Sequence, residues 1–289
     1  MKQLLILSGK GGTGKTTIAS AFIRLSEAKT YADCDVDAPN LHLITKQMSE
    51  PKKTDYYGLP KAKIDETKCI ECDSCRQSCR FDAISVDINY KVNPFACEGC
   101  GVCELVCPVG AITLNPAVAG DLMLYTHEGQ VFSTAQLRMG SGTSGMLVTE
   151  VKKQMKSQDR PSKFAIIDGS PGIGCPVIAS LSGVDMVLIV AEPSISGISD
   201  MERIILTAAK FGTKTVICVN KFDTNIKNTE KIELFCEENG LAYMGRIPYD
   251  TNAVKAINDG QTIVDIDCAS GTAVKEVYNK TMELLINKI

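Results

Sequence analysis

Histidine is almost missing from this chain, with 2 among 289 residues. A catalytic site built on imidazole therefore has little support, and His42, beside an acidic loop, reads as structural. Basic runs are missing as well. The formal net charge is −3, and binding a nucleic-acid backbone needs a cationic patch that displaces counterions, so no nucleic-acid partner is expected. No apolar run approaches the roughly 20 residues that span a bilayer, which argues against a membrane partner. Met1-Lys2-Gln3 leads straight into an apolar strand without the features of a secretory leader, so a cytoplasmic location is expected.

What is abundant is cysteine, at 13 residues. Apolar residues make up 44% of the chain, enough to bury a core without disulfides, and in a reducing compartment so many thiols point to metal ligation. Eight fall in one segment: Cys69-x2-Cys72-x2-Cys75-x3-Cys79, then Cys97-x2-Cys100-x2-Cys103-x3-Cys107-Pro108. Each cysteine of the first set maps onto the second at an offset of 28 residues, and Phe81-Asp82-Ala83-Ile84 matches Val109-Gly110-Ala111-Ile112. Such self-similarity marks a duplicated unit, and alternating Ile84, Val86, Ile88, Tyr90 and Val92 predict a strand between the halves. Residues 61–114 resemble a bacterial two-cluster ferredoxin. Three cysteines in a C-x2-C-x2-C turn can hold three irons of one cube, while the fourth lies too far round and reaches the other cube. One 4Fe–4S cluster is thus expected on Cys69, Cys72, Cys75 and Cys107, and a second on Cys97, Cys100, Cys103 and Cys79. Zinc competes, because C-x2-C pairs also form zinc knuckles, but it leaves a third closely spaced cysteine over in each triplet. Arg80 stands where such ferredoxins usually carry proline, a change that would raise a cluster's potential without altering ligation.

The N-terminal stretch Gly9-Lys10-Gly11-Gly12-Thr13-Gly14-Lys15-Thr16 follows the apolar run from Leu4 to Leu7 and precedes Thr17-Ile18-Ala19-Ser20-Ala21-Phe22, which reads as a helix start. This is the phosphate-loop pattern G-x-x-x-x-G-K-S/T in its strand–loop–helix setting. The glycines let backbone N–H groups turn inward around an anion, and the helix start adds its positive dipole end. Lys15 can reach the terminal phosphates and Thr16 offers a hydroxyl to Mg²⁺. Residues 9–17 are accordingly the candidate nucleotide cradle. With Lys10 as a second lysine, the octet resembles the deviant phosphate loop of the MinD/ParA/nitrogenase-iron-protein family. There the extra lysine crosses a dimer interface to the nucleotide of the partner. The resemblance implies a homodimer, or a dimer with a similar subunit, and a catalytic role for both lysines.

Thr30–Asp35, Phe164–Asp168, Asp185–Val190 and Thr215–Asn220 read as apolar strands, with a helix over Asp200–Phe211. Continuous apolar strands alternating with helices give an α/β fold whose mostly parallel sheet is covered on both faces. The expected organisation is a discontinuous nucleotide-binding domain, residues 1–60 and 115–289, interrupted by the ferredoxin-like insert 61–114. Residues 45–60 read as a linker punctuated by Pro51, Gly58 and Pro60. Asp121–Thr126 and Gln130–Ser133 read as a strand pair. Met139-Gly140-Ser141-Gly142-Thr143-Ser144-Gly145 opens a helix; it is either a plain loop or a segment that approaches a ligand or partner. Val274, Val277, Tyr278, Leu284 and Leu285 recur at helical spacing near the C-terminus. The charges among them (Lys275, Glu276, Lys280, Glu283, Lys288) are mixed, so a packed helix is expected rather than a membrane anchor.

Asp168 ends its strand and begins Asp168-Gly-Ser-Pro171-Gly172-Ile-Gly174-Cys175-Pro176. An acid at this place in a phosphate-loop protein is the expected Mg²⁺ organiser, acting through water, and the loop after it resembles a switch that senses the terminal phosphate. The segment Asp33-Cys34-Asp35-Val36-Asp37-Ala38-Pro39-Asn40 resembles the family's other switch, in which the position of Asp35 polarises the attacking water; Asp37 is the rival for that role. Asn220-Lys221-Phe222-Asp223 matches the N-K-x-D motif that reads guanine. The family, mostly ATPases, uses the same strand end for adenine together with a later segment, here Ile247-Pro248-Tyr249-Asp250. ATP is therefore expected and GTP is the lesser alternative, with Asn220, Lys221, Asp223, Pro248 and Asp250 at the base. Cys175 stands seven residues after Asp168, where the nitrogenase iron protein has a cluster ligand. No second cysteine lies between Cys107 and Asp168, which leaves a transient metal or cluster contact, or a structural thiol. Cys34, Cys218, Cys236 and Cys268 read as core. The resemblance implies an Mg-ATP-driven dimer cycle serving metallocluster assembly or delivery to a client. The alternatives are ATP-gated electron donation to a redox partner and a MinD-like positioning role.

Overall fold

A computed structural model describes residues 1–45, 47–158 and 162–286. Its first part runs β1 (Lys2–Leu7), α1 (Lys15–Ser26), β2 (Thr30–Asp33), the single turn α2 (Leu41–Ile44) and β3 (Lys52–Tyr57). The cysteine-rich part follows as β4 (Lys61–Ile64), α3 (Ser74–Gln77), β5 (Ile84–Val86), β6 (Tyr90–Val92), α4 (Val102–Leu105) and β7 (Ile112–Asn115). Then come β8 (Val118–His127), β9 (Gln130–Leu137), α5 (Ser144–Lys156), β10 (Phe164–Asp168), α6 (Cys175–Leu181), β11 (Met186–Ala191) and α7 (Ile195–Lys210). The chain closes with β12 (Lys214–Asn220), α8 (Ile226–Glu238), β13 (Ala242–Ile247), α9 (Thr251–Asn258) and α10 (Ala269–Ile286).

Nine strands form one sheet in the order β13-β12-β11-β1-β10-β2-β9-β8-β3. Every pairing from β13 to β9 is parallel, and β8 then pairs antiparallel with both β9 and β3. Alternation along β1 shows how both faces are filled. Leu5 and Leu7 join the core beneath α5, α6, α7 and α8, whereas Leu4 and Ile6 join the core beneath α1, α9 and α10. Each fully buried aliphatic side chain of this kind contributes about 1.5–3 kcal/mol. The α/β fold with helices on both faces is thus the observed one. The terminal helix α10 buries Val274, Val277 and Leu285, as expected for a packed helix; Lys288 lies outside the described residues.

Three local expectations change. The stretch 45–60 is not simply a linker, because it contains β3, the edge strand. Five of the six β3 residues are exposed and only Tyr56 is buried, so no apolar alternation announces it. Lys52 and Lys53 on that edge discourage pairing with another chain. The alternating stretch from Ile84 to Val92 is two strands rather than one: β5 and β6 pair antiparallel, Ile84 opposite Val92, around an exposed Ile88. Period-2 alternation passes through a tight turn without interruption, so the turn is invisible to it. Helix α7 begins at Ile195, earlier than Asp200, because Ser194 accepts a hydrogen bond from the Gly197 amide and caps it.

The cysteine-rich part is closed by its own ends. β4 pairs antiparallel with β7, Lys61 opposite Asn115, so chain entry and exit lie side by side. Its duplication is visible in the hydrogen bonds. The Ala83 amide donates to Cys79 Sγ and the Ala111 amide to Cys107 Sγ, and the carbonyls of the same two alanines accept from Asn93 and Asp65, each at 2.7 Å.

Candidate functional site

The carboxyl ends of the parallel strands all lie at one edge of the sheet, which is where ligands bind in such folds. The phosphate loop leaves β1 there. Gly14 has φ +90°, and a β-carbon on it would collide with Asn220 Nδ2, so this position requires glycine. Asn220 in turn donates to the Thr13 carbonyl at 2.6 Å, and Lys221 donates to the Gly12 carbonyl at 2.7 Å. These bonds turn the loop carbonyls outward. A pocket of about 1160 Å³ is lined by residues 10–17 together with Asp35, Asp37, Asn40, Ser170 and Pro176. The phosphate loop and both acidic loops therefore meet in one place. Gly9 sits just below, its backbone against Asp200 of α7.

Charge in this pocket is unbalanced. Lys15 Nζ lies 2.6 Å from Asp168 Oδ1, and both side chains are buried. Burial opposes the lysine's charge, but Asp168, Asp33 and Asp35 outweigh it and raise its pKa above the ordinary value. One ammonium thus faces two fully buried carboxylates, Asp33 and Asp168, and the half-buried Asp35. Asp168 Oδ2 is buried and has no hydrogen-bond partner among the described residues. An unpartnered carboxylate oxygen in an excess of negative charge, with the Thr16 hydroxyl on the same loop as Lys15, is a setting that fits a divalent cation.

Asp33 is the residue that the motifs did not single out. One of its oxygens accepts from the Asp35 amide and the other from the amides of Asn40 and Leu41, all at 3.0 Å. It thereby folds the loop 34–41 around itself and turns Asp35 toward the pocket. Ser170 Oγ donates to the Cys34 carbonyl, tying the second acidic loop to the first. Burial, and then repulsion from Asp168, raise the Asp33 pKa well above the carboxylate range; burial likewise raises that of Asp35. A carboxyl whose folded pKa is raised contributes stability that is present at low pH and lost as pH rises through the raised value. The ligand-free protein should therefore show a falling Tm as pH rises from about 4 toward neutrality, and Asp33→Asn should flatten that slope. An unchanged slope in the variant would contradict this origin.

The other candidates take different positions. Lys10 folds back to Glu192 Oε2 at 3.3 Å and Ser194 Oγ at 3.0 Å. Asp223 accepts from the Tyr249 amide at 2.7 Å, joining the loops after β12 and β13. Asp250 caps α9 through the Asn252 amide and also accepts from Ser270. Asn220, Lys221, Asp223, Pro248 and Asp250 thus share the strand-end edge but do not line the phosphate pocket. Cys34, Cys218, Cys236 and Cys268 are buried, and burial pushes the Cys34 thiol up to about 12. Cys175 is exposed at the start of α6.

The eight clustered cysteines sort into two groups. Cys69, Cys72, Cys75 and Cys107 line a pocket of about 330 Å³, and Cys79, Cys97, Cys100 and Cys103 line another of about 360 Å³. Each group takes its fourth member from the other repeat. Among the described residues, no three His, Cys, Asp or Glu side chains converge closely enough to hold a single ion; each quartet instead surrounds a space.

Comparison with known proteins identifies the family. A profile of the CobQ/CobB/MinD/ParA nucleotide binding domain matches residues 4–263. An uncharacterised protein of Methanocaldococcus jannaschii is 32% identical over 293 residues, which covers 98% of this chain and 97% of that one. The iron–sulfur cluster carrier protein of Pyrococcus abyssi is 23% identical over 99% of this chain and 86% of its own. Pyruvate synthase subunit PorD of Methanothermobacter marburgensis is 37% identical over 63 residues, 22% of this chain and 75% of that subunit. Among solved structures, the septum site-determining protein MinD of Pyrococcus horikoshii shares the fold with a TM-score of 0.60 at 17% identity, covering 100% of this chain and 99% of that one. With its phosphate loop, its parallel sheet and a profile match over most of its length, the chain belongs to the CobQ/CobB/MinD/ParA nucleotide-binding family.

Proposed function

We propose that this protein is an Mg-ATPase that works as a dimer and couples its nucleotide cycle to the assembly or delivery of iron–sulfur clusters. The observation that carries the reading is the pairing of one phosphate pocket with two crossed cysteine quartets in a single chain. Backbone amides of residues 9–16 cradle the phosphates, and Lys15 moves from Asp168 to the terminal phosphate. Thr16 and Asp168 are the residues that would hold Mg²⁺, which when bound would neutralise charge on the transferred group. Asp35, aimed by Asp33, orients the attacking water, with Asp37 beside it. Lys10 leaves Glu192 and reaches the nucleotide of the partner subunit. Asn220, Lys221, Asp223, Pro248 and Asp250 frame the base; family membership favours ATP over GTP.

Residues 61–114 act as an inserted domain in this reading. Its buried core is small, with Ala62, Cys75, Ala83, Ile84, Cys97, Ala111 and Ile112 as its buried apolar residues among those described, so two cysteine-bound cubes would form much of its interior. Likeness to an iron–sulfur cluster carrier across nearly the whole chain supports assembly or delivery. Likeness to PorD over a short stretch, with both quartets complete, favours ATP-gated electron donation as the second reading.

Anaerobic purification should yield about eight irons and eight sulfides per chain, and Cys97→Ser should lower this to about four. Stoichiometric zinc in place of iron would overturn the cluster assignment. Incubation with an apo-acceptor, with and without ATP, separates the readings. Delivery moves iron to the acceptor, whereas electron donation leaves the iron count unchanged and, from dithionite-reduced clusters, reduces an added one-electron acceptor dye in an ATP-dependent way.

A further inference from the structure

The Gly/Ser stretch after β9 takes no part in the sites above, yet it touches both. At one end is Gly145, in the first turn of α5. A β-carbon there would lie 3.1 Å from the Cys175 carbonyl oxygen and 3.2 Å from the Cys175 β-carbon. Cys175 begins α6, and the next residue, Pro176, lines the phosphate pocket. Helices α5 and α6 are fastened together, since Lys152 of α5 donates to the carbonyls of Ala179, Ser180 and Ser182 at the end of α6. At the other end, Gly140 has φ +79° and its β-carbon position is 3.2 Å from the Phe95 ring, while that of Gly142 is 3.4 Å from Glu98 Oε2. A parallel route exists. Thr143 packs on Gly58, and the Pro60 carbonyl two residues further on packs on Gly99. Both routes end on residues 95–99, the loop that carries Cys97. The Cys69–Cys75 loop takes part in none of these approaches.

We infer that Gly140–Gly145 is a positioning strap that seats the Cys97 loop on the switch helix α6, so that one of the two cluster sites responds to the bound nucleotide and the other does not. The inference rests on the function proposed above. Packed elements at contact distance transmit small displacements rather than absorbing them. A shift of α6 when the loop 169–176 meets the terminal phosphate therefore carries through Gly145 and Gly142 to Glu98. There the Ala62 amide donates to Cys97 Sγ at 3.5 Å and Lys61 donates to the Cys97 carbonyl. Hydrogen bonds to a ligating sulfur set a cluster's potential, so moving this loop changes the potential at the Cys97 site.

The test is an anaerobic redox titration of the holoprotein followed by electron paramagnetic resonance, with MgADP and then with a non-hydrolysable MgATP analogue. Hydrogen–deuterium exchange under the same two conditions locates the change. One of two reduction midpoints should move, and exchange should change over residues 95–101 but not over 69–75. Gly145→Val drives a branched side chain into Cys175. Phe95→Ala removes a contact of a largely exposed ring, so it tests the strap without burdening the core. Both variants should lose the response while keeping about eight irons and ATP hydrolysis. Midpoints that move together, no movement in protein that holds its iron and hydrolyses ATP, or a full response in Phe95→Ala would each overturn the inference. Absence of iron or of hydrolysis in the unmodified protein would instead remove the proposed function, and the inference with it.

Discussion

Lys10→Ala should lower ATP turnover by about 10³-fold or more, the scale of a cation supplied in trans to a phosphoryl-transfer transition state, while nucleotide affinity changes little. In the single chain Lys10 lies on Glu192 and Ser194, at a surface where the two charged side chains remain 35% and 24% exposed. Such a pair is worth at most about 1 kcal/mol, so releasing Lys10 to a partner costs little. Its position also explains the separation of effects, because the proposed cradle of residues 9–16 is made of backbone amides, which losing the Lys10 side chain leaves in place. Steady-state hydrolysis beside calorimetric nucleotide binding checks this. Unchanged turnover would remove the dimeric site from the mechanism.

Lys15→Met should destabilise the ligand-free protein by about 3–5 kcal/mol at neutral pH, as expected when one partner of a buried ion pair is removed. The methionine fills most of the volume, so the loss comes from charge rather than packing. Asp168 and Asp33 would then face each other in neighbouring parallel strands, where they are register partners, with no ammonium between them. Lowering the pH should restore part of the loss, because protonating either carboxyl removes the repulsion. Lys15→Met combined with Asp168→Asn should also recover part of it. Urea unfolding of the single and double variants at two pH values gives the comparison. Equal stability of Lys15→Met and the unmodified protein would show that the Lys15–Asp168 pair contributes nothing net.

Long-range contacts account for what the motifs could not show. Asp33 lies in a stretch of three nearby acids, and nothing in that spacing distinguishes the one that accepts three backbone amides from the one turned into the pocket. The distinction is made by burial against Asp168, whose strand comes well over 100 residues later. Asp223 and Asp250 stand in recognisable segments, but their hydrogen bonds to Tyr249 and to Asn252 and Ser270 depend on how the loops after β12 and β13 meet. The edge strand β3 escaped notice for a different reason: an exposed strand pairs through its backbone and needs no apolar pattern.

By itself, the sequence determined the features that are local in physics. A phosphate loop is one turn of backbone between a strand and a helix, C-x2-C-x2-C is one tight loop of thiols, and an apolar run bounded by polar residues is a buried strand. These need only neighbouring residues, so they can be read from the order of the chain. The tertiary structure decided which of them meet. Lys15 reaches an aspartate 153 residues away, Lys10 a serine 184 away, and Ser170 a carbonyl 136 away. It also placed the glycines of 140–145 between Cys175 and the Cys97 loop. Such meetings are set by strand order and by close packing of backbone on backbone, which no local pattern encodes.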